Sequence, residues 1–334
     1  MSGFDIVSVD VGTTTRVRLE VTHKGSENLP NLWFVKLPSL SWQARAITAL
    51  PRLLPTEVRF YNELADKVPL KKPKKLFAQS RFGLGSTLVI EDVTEFGAVP
   101  GITGEALTSE QARAVVGQLA TFHSAFMEKA KHDESLRWLS GPIRRLEDFL
   151  GTALAVPLMK RGIKLAKETV PVQLHPSAIH YAKNRKNVMK ILSDAPPTLL
   201  HHDCHPGNLF WHDGSPGFLD WQMVRIGEGV SDVSYFMATA LEPEVRRSCE
   251  MDLLEEYHRI LCKNSHFKYD FDTLVERYRA HLVYPFEAMV LTLAVGGLME
   301  LQSNLAMIRR SAEAVLDHDT FTVLASKNRL DNIS

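Results

Sequence analysis

The sequence lacks the features of several protein classes. It has only three cysteines in 334 residues, and these form no C-x-x-C pair. A disulfide framework is therefore not expected, and a reducing compartment, the cytoplasm, is predicted. The net charge is zero, because 39 Lys and Arg balance 39 Asp and Glu. A nucleic-acid-binding protein would normally carry a basic face and a high isoelectric point, so no nucleic-acid partner is predicted.

Long hydrophobic runs are also missing. The most apolar stretch, Ala288 to Met299, has twelve residues and lies between Glu287 and Glu300. A membrane-spanning helix needs about 20 apolar residues, so this stretch is predicted to be a buried helix. The N-terminus, MSGFDIVSVDVG, lacks the basic and then apolar layout of a secretory signal. A soluble cytoplasmic protein without a membrane span is therefore expected.

The first 93 residues are predicted to form mostly strands. Five runs are rich in β-branched and aromatic residues and are separated by turn residues. They are IVSVDV, TTRVRLEV, LWFVKLP, KKLFAQS and STLVIEDV. One helix is predicted at EVRFYNELADKV, with Thr56 as its N-cap.

The rest of the chain is predicted to be mainly helical, because apolar residues recur there at helical spacing. Helices are expected at SEQARAVVGQLATFHSAFM and within 142–170, 176–193, 243–263, 270–283 and 285–316. One exception is NLFWHDGSPGFLDW, which has the pattern of a hairpin with its turn at HDGSP. The sequence thus predicts an α+β fold with a small β-rich region at 1–93 and a larger helical region at 94–334.

The densest chemical signal is the run HHDCHPGNLF, which begins at His201 and is followed by Asp220 in FLDWQ. Phosphoryl transfer to a hydroxyl needs a carboxylate that orients the hydroxyl and accepts its proton, together with oxygen ligands for Mg²⁺. Asp203 and Asn208 share one loop, and Asp220 ends a hairpin arm that folds back beside it. These three side chains can therefore converge, and the Asn and Asp oxygens suit Mg²⁺.

The pattern HxDxxxxN, followed by an Asp on a hairpin, resembles the kinase-like phosphotransferases: aminoglycoside phosphotransferases, choline kinases and ecdysteroid-kinase-like proteins. The resemblance spans about residues 10–240. It implies a bilobal protein-kinase-like fold, with ATP in the cleft between a β-rich N-lobe and a helical C-lobe. It also implies these roles: Asp203 as catalytic base, Asn208 and Asp220 as Mg²⁺ ligands, and His201 and Asp232 as supports of the loop.

Further matches to this family lie upstream, in the expected order. Lys36 in LWFVKLP resembles the lysine that grips the α- and β-phosphates. Glu57 opens EVRFYNEL, like the helix glutamate that pairs with that lysine. LVIEDV resembles the hinge, so the Glu91 carbonyl and the Val93 N–H are expected to bind adenine.

Two positions depart from the family pattern. Protein kinases place three glycines over the phosphates of ATP, whereas DVGTTTRV offers only Gly12. Thr13 and Thr14 are expected to present N–H groups and hydroxyls to the phosphates instead. His202 follows His201 at a position where the small-molecule kinases often carry glycine.

Four other interpretations remain open. HHDCH contains zinc-ligand types, but it has no distant partner pair of the kind that structural zinc sites use. DVGTTT resembles the first phosphate hairpin of sugar kinases related to actin and hexokinase, with Asp10 holding metal-bound water. A protein kinase would need a longer peptide platform than the twelve residues from Asp220 to Asp232. A non-catalytic, pseudokinase-like nucleotide-binding module is disfavoured because Lys36 and the loop residues are intact.

The sequence therefore predicts an enzyme that phosphorylates a hydroxyl of a small molecule with MgATP. The acceptor is left open among sterol-like compounds, acyl alcohols, aminoglycosides and choline-like compounds. No oligomeric state is predicted.

Overall fold

The computed structural model of the chain describes residues 3–12, 14–24, 29–40, 53–81, 85–265 and 270–330. The chain forms two compact units. The first contains Met1–Gly101 and Asn208–Val224, and the second contains Ile102–Gly207 and Arg225–Ser334. An antiparallel sheet dominates the first unit and helices dominate the second, which confirms the predicted α+β fold class.

The first unit is built on a five-stranded antiparallel sheet whose strands follow the order β1-β2-β3-β5-β4. The strands are β1 (Gly3–Val11), β2 (Thr14–Thr22), β3 (Leu32–Pro38), β4 (Lys75–Arg81) and β5 (Gly85–Glu91). They coincide with the five predicted runs. Lys36 lies on the central strand, opposite Arg16 on one side and Leu88 on the other. This position buries the lysine, which is only 4% exposed.

One helix of this unit, α1 (Leu53–Glu63), packs against β4 and β5, and its side chains Leu54, Val58 and Phe60 are buried. Thr56 was predicted to cap this helix, but it lies inside the first turn and a half. Pro55 does not end the helix, because the first turn of a helix tolerates a residue without a backbone N–H.

The predicted hairpin is formed by β8 (Leu209–His212) and β9 (Ser215–Phe218), and β8 also pairs with β6 (Val99–Pro100). Asp213 and Gly214 make the turn with φ of 50° and 70°. Two successive positive φ angles are typical of the tight hairpin turn that an Asp-Gly pair favours. By its contacts this hairpin belongs to the first unit, although the chain reaches it only after several helices of the second.

The second unit contains ten helices and a short pair of strands within the described residues. The helices are α2 (Ser109–Phe126), α3 (Pro142–Leu165), α4 (His175–Lys183), α5 (Arg185–Ser193), α6 (Val230–Ala240), α7 (Pro243–Asn264), α8 (Phe271–His281), α9 (Val283–Val295), α10 (Leu301–Asp317) and α11 (Thr320–Leu330). The strands β7 (Thr198–Leu200) and β10 (Arg225–Gly227) pair antiparallel. Every residue of α6 is buried, so this helix forms the centre of the unit.

The apolar stretch predicted as one buried helix is helical only in part. Helix α9 ends at Val295, and Gly296 and Gly297 follow with φ of 80° and 70°. These left-handed angles stop the helix before the apolar run ends. Among the described residues, no helix has the length and hydrophobicity that a membrane crossing requires.

A buried ionic cluster joins the end of β10 to α8. Glu228 accepts hydrogen bonds from Arg277 Nε at 2.8 Å and pairs with His281 Nε2 at 2.7 Å. Arg277 also donates to the carbonyls of Ile191 and Leu192 at the end of α5. Burial alone would raise the pKa of Glu228, but His281 and Arg277 outweigh it and lower that pKa to about 2.

The Glu228 carboxylate is expected to stabilise the fold in a pH-dependent way. Because its pKa is lowered from 4.5 to about 2, its contribution is fully present above pH 4.5 and is lost as the pH falls toward 2. Glu228→Gln should therefore lower the free energy of unfolding by about 3 kcal/mol at pH 7. Chemical denaturation measured at pH 7 and below pH 4.5 should show this difference shrinking.

Glu276→Gln is the matched control for Glu228. Glu276 pairs with Lys327 at 3.0 Å, and its side chain is 48% exposed. Exposed pairs contribute between about 0 and 1 kcal/mol, so this variant should remain close to the wild type at every pH. A Glu228→Gln deficit that stays constant with pH would contradict the linkage argument.

Candidate active site

Lys36 is held by Glu57 in the first unit. The Lys36 Nζ lies 2.8 Å from both carboxylate oxygens of Glu57. Both side chains are buried, with Glu57 fully inaccessible on the sheet-facing side of α1. The structure therefore brings these two sequence-predicted residues together in a bidentate pair.

The same ammonium also contacts Asp220, with Nζ 3.0 Å from Oδ1. Asp220 follows β9 and has a left-handed φ of 59°. Its neighbour Trp221 stacks on Phe60 of α1, with ring centroids 4.3 Å apart and planes at 5°. Phe60 lies three residues after Glu57, on the same side of α1. This stack fixes the end of the hairpin against the helix that carries Glu57.

The cluster of Lys36, Glu57 and Asp220 carries one more carboxylate than ammonium. Burial alone would lower the pKa of Lys36, but the charges of Asp220 and Glu57 outweigh it and raise that pKa, so the lysine stays charged. Burial raises the pKa of Glu57 to about 7, and Asp220 adds to this while Lys36 opposes it. When Glu57 is ionised the cluster has an excess of negative charge, and a bound cation would favour that ionised form.

Asn208 lies close to Asp220 along the hairpin. The Leu219 N–H donates to the Asn208 carbonyl at 2.8 Å, and the strand register pairs Leu209 with Phe218. Among the described residues, no group of three or more His, Cys, Asp or Glu side chains is placed to hold a metal ion. Mg²⁺ commonly takes one or two protein ligands and completes its shell with phosphate and water. Asp220 would provide one carboxylate and Asn208 one amide oxygen, which matches the small number of protein ligands that Mg²⁺ commonly takes.

The predicted hinge residues end β5 and begin a single turn of helix. Glu91 donates its N–H to the Lys74 carbonyl at 3.0 Å, while the Lys74 N–H donates to the Glu91 side chain at 2.9 Å. The Glu91 carbonyl therefore does not receive the Lys74 N–H. Val93 opens the turn Val93–Phe96, and the first N–H groups of a helix have no partner within it. The Glu91 carbonyl and the Val93 N–H, which are expected to bind adenine, therefore lie at the end of β5.

Gly12 and Thr14 of the predicted phosphate grip lie at the adjoining ends of β1 and β2. The Gly12 N–H donates to the Thr14 carbonyl at 3.0 Å, and the Ser39 hydroxyl donates to the Gly12 carbonyl at 2.8 Å. Thr14 is buried and pairs with Pro38 at the start of β2. Thr13 lies outside the described residues.

In the second unit, the Asp232 side chain holds the HHDCH loop through hydrogen bonds to the backbone of that loop. Its carboxylate lies in the first turn of α6 and accepts the N–H groups of His201 at 2.7 Å and His202 at 2.9 Å. His123 Nε2 lies 3.3 Å from the same carboxylate, and its Nδ1 lies 3.0 Å from the Tyr257 hydroxyl. All of these groups are buried. The backbone just before Asp203 is therefore held in a fixed position.

The Asp203 carboxylate has an aromatic hydroxyl as its near partner. The Tyr235 hydroxyl donates to Oδ1 at 2.6 Å, a length typical of a hydrogen bond to a charged oxygen. Burial, followed by the charge of Asp203, raises the pKa of Tyr235 well above its usual range, so the tyrosine remains a donor. His205 Nε2 lies 3.9 Å from the same oxygen, which is too far for a hydrogen bond.

His202 takes a conformation that is unusual for its residue type. Its φ is 67°, a left-handed angle that costs about 1–2 kcal/mol for a residue with a Cβ. The ring stacks on Tyr284 with centroids 4.2 Å apart and planes at 4°, and the Tyr284 hydroxyl donates to the His202 carbonyl at 2.9 Å. Burial, followed by the charges of Arg225 and Arg144, lowers the pKa of His202 well below its usual range, so the ring stays neutral.

The rest of the loop is tightly packed. A Cβ added to Gly207 would lie 2.0 Å from Thr103 Oγ1, so only glycine fits there. Cys204 donates its thiol to the Asp232 carbonyl, and burial raises the pKa of the thiol well above its usual range. In the part of the chain that the structure describes, no group of three or more His, Cys, Asp or Glu side chains is placed to hold a metal ion, so the zinc interpretation has no support there.

Sequence reasoning missed three residues that contact the predicted site residues or their supporting elements within one unit or the other. Tyr235 lies three residues after Asp232 on α6, so helical spacing could have placed both on one face. Trp221 stood in the FLDWQ motif, but its contact with Phe60 is set by tertiary packing. Tyr284 is 82 residues from His202 in sequence, and no local pattern signals such a contact.

Lys36 and Glu57 should behave as one unit in nucleotide binding. Lys36→Met and Glu57→Gln should each raise the apparent KM for ATP, because each breaks the 2.8 Å pair. The double variant should be much less than additive, since one loss already disables the pair. Steady-state kinetics of the four proteins measure this coupling, with the exposed Lys71→Met as a control. Additive effects would show that the two residues act separately.

Comparison with known proteins identifies the family and related folds. The profile of the ecdysteroid kinase-like family matches residues 11–267. No curated protein matches the chain significantly. The solved choline kinase of Cryptosporidium parvum Iowa II is 11% identical, covers 98% of this chain and 89% of its own, and gives a TM-score of 0.52. The GDP complex of wild-type aminoglycoside 2′-phosphotransferase-IIIa is 14% identical, covers 99% and 94%, and gives 0.50.

At these identities the solved structures establish a shared kinase-like fold, which the sequence predicted and which excludes the actin-like alternative. The family profile covers well over half of the chain. The predicted resemblance is therefore confirmed, and the protein belongs to the ecdysteroid kinase-like family.

Proposed function

We propose that the protein transfers the γ-phosphoryl group of ATP to a hydroxyl of a small molecule. The observation that supports this most strongly is the buried Lys36, which Glu57 holds in a bidentate pair and which also contacts Asp220. A lysine in such a position carries a charge that two carboxylates stabilise, and it can bind phosphate oxygens as a point charge.

Different residues of the first unit would bind different parts of the nucleotide. Lys36 would bind the α- and β-phosphates while Glu57 positions it. Other groups would contact adenine and the phosphate chain: the Glu91 carbonyl, the Val93 N–H, and the residues Gly12, Thr13 and Thr14. Asn208 and Asp220 would hold Mg²⁺, which when bound neutralises charge on the phosphates.

Asp203 would act on the acceptor. It would orient the hydroxyl and take its proton while the hydroxyl oxygen bonds to the γ-phosphorus and the bond to ADP breaks. The Tyr235 hydroxyl donates to Asp203 Oδ1 at 2.6 Å and would help to orient the carboxylate. Asp232 would keep the loop in place through the backbone of His201 and His202.

The acceptor is proposed to be small. Asp220 and Asp232 are only twelve residues apart, and the chain between them forms one helical turn and the short strand β10. This leaves little backbone on which a peptide substrate could lie. Acceptors of the sterol-like, acyl alcohol, aminoglycoside and choline-like classes would all meet this condition. A cytoplasmic location is also proposed, because Cys204, Cys249 and Cys262, all described in the structure, form no disulfide.

The test is a phosphorylation screen. Purified protein is incubated with MgATP labelled at the γ-phosphate and a panel of hydroxyl compounds from the four classes, and labelled organic product is measured. We expect a product with at least one class and none when Mg²⁺ is chelated. ATP binding without product for any acceptor would instead favour a non-catalytic nucleotide-binding module.

A further inference from the structure

Arg225 is a partly exposed charged residue that contacts the HHDCH loop in the second unit. Its Nη1 lies 3.2 Å from His202 Nε2, and its Nη2 lies 3.3 Å from Asp148 Oδ1. Its side chain is 27% exposed, and that of Asp148 is 53% exposed. The guanidinium is therefore held in place while part of it remains accessible.

The contact with His202 fixes the proton on that ring. A guanidinium can only donate hydrogen bonds, so Nε2 must accept and the proton must be on Nδ1. His202 Nδ1 is buried and has no hydrogen-bond partner among the described residues. The only polar contact of this ring in the described part of the chain is therefore the one that holds Arg225.

His202 thus combines two unfavourable features, a left-handed backbone and a buried N–H without a partner. Glycine would avoid both at this φ. Unfavourable conformations of this kind persist where the surrounding structure enforces them, and they cluster at ligand-binding sites. The imidazole provides the stack on Tyr284 and the acceptor for Arg225.

Arg225 retains the means to bind a ligand. A guanidinium has five N–H donors in a planar fork, and the two contacts above use two of them. The other donors have no partner among the described residues. Such a fork matches the two oxygens of a carboxylate, sulfate or phosphate, whereas an ammonium group would be repelled.

We propose that Arg225 is an acceptor-recognition residue and that the acceptor carries an anionic oxygen group in addition to the hydroxyl that is phosphorylated. This inference rests on the proposed function, because it assigns the acceptor to the loop that carries Asp203. His202 is then a positioning residue that aims Arg225. The acceptor class narrows to hydroxy acids and related anionic alcohols, and cationic amino alcohols are disfavoured.

The experiment compares three acceptors of equal chain length: a hydroxy fatty acid, the alcohol without its carboxylate, and the corresponding amino alcohol. The wild type should phosphorylate the hydroxy acid with the highest kcat/KM. Arg225→Gln should lower that value by about 10–100-fold through the KM for the acceptor, as expected for a lost charged hydrogen-bonded contact. It should leave the KM for ATP and the rate with the plain alcohol nearly unchanged.

Three further variants sharpen the result. Arg225→Lys keeps the charge but loses the fork, so it should recover only part of the preference for the hydroxy acid. His202→Gly should lower the same preference, and the relief of the left-handed strain should offset part of the stability lost with the stack on Tyr284. Arg309 is an exposed arginine on α10 that pairs with Glu242. Arg309→Gln should show the same acceptor preference as the wild type.

Several results would overturn the inference. These are an equal loss on all three acceptors in Arg225→Gln, a rise in the KM for ATP alone, and a wild-type preference for the amino alcohol. A His202→Gly variant that melts early but keeps its preference would show that the ring is structural.

If no acceptor is phosphorylated, the proposed function fails and calorimetry decides the inference separately. Binding of the hydroxy acid to the wild type but not to Arg225→Gln would support it, and no binding to the wild type would reject it.

Discussion

Asp220→Ala is expected to abolish Mg²⁺-dependent turnover while ATP binding without metal is largely kept. Asp220 provides the carboxylate of the proposed metal pair, and Asn208 alone is a weak ligand. A metal ion at transferring phosphates contributes several kcal/mol of charge stabilisation, so the rate should fall by roughly 10²–10³-fold or more. The fold should survive, because Lys36 keeps its 2.8 Å contacts with Glu57 and the cluster loses its extra carboxylate.

Two readouts test this prediction. One is the phosphorylation rate as a function of Mg²⁺ concentration. The other is the melting temperature with ATP, measured with and without Mg²⁺, which requires no acceptor. Mg²⁺ should raise the melting temperature of the wild type with ATP but not that of Asp220→Ala. Asp66→Ala, at an exposed position of the same unit, should respond like the wild type. A variant with normal Mg²⁺-dependent activity would rule out the assignment of Asp220.

Much of the first unit could be predicted because its signals are local. The five strands follow from runs of β-branched and aromatic residues between turn signals, and the turn at Asp213 and Gly214 follows from an Asp-Gly pair. The pairing of Lys36 with Glu57 came from a family resemblance, since the two residues are 21 positions apart. Spacing alone would have left both as surface charges.

What could not be predicted depends on contacts between distant segments. The hairpin of β8 and β9 belongs with the first unit because β8 pairs with β6 and because Phe218 donates to the Lys71 carbonyl. No periodicity in NLFWHDGSPGFLDW indicates that partner. The strained His202 was visible only as a departure from a family pattern, and its explanation needed Tyr284 on α9. By contrast, the end of α9 could have been predicted, since two successive glycines are a standard stop signal.

Asp203→Asn is expected to reduce kcat by at least about a hundredfold, within the range of typical general-base contributions. The amide cannot take the proton of the acceptor hydroxyl, and it changes the 2.6 Å contact with the Tyr235 hydroxyl. The transition state of phosphoryl transfer is loose, so proton removal comes late. Part of the reduction in kcat should therefore arise because the acceptor is no longer held in the correct position. Affinity for ATP should stay within a few-fold, because the groups proposed to bind the nucleotide lie on other elements.

Asp10→Asn provides the matched control, because Asp10 is the residue that the actin-like interpretation would make essential. In the structure Asp10 forms an ion pair with Arg16 at 2.6 Å, and its side chain is 66% exposed. Exposed pairs of this kind contribute between about 0 and 1 kcal/mol, so the variant should show at most a modest change in the KM for ATP.

Both variants should be measured at saturating MgATP with whichever hydroxyl compound the screen identifies. Tyr235→Phe, measured in the same assay, distinguishes the role of Asp203 as a base from its role in orienting the acceptor. Loss of its hydroxyl leaves the Asp203 carboxylate ionisable but removes the 2.6 Å hydrogen bond that orients it. If orientation of the acceptor is the larger part of the role of Asp203, Tyr235→Phe should raise the KM for the acceptor and lower kcat by less than Asp203→Asn does. Near-normal kcat in Asp203→Asn, together with an inactive Asp10→Asn, would contradict the proposed base.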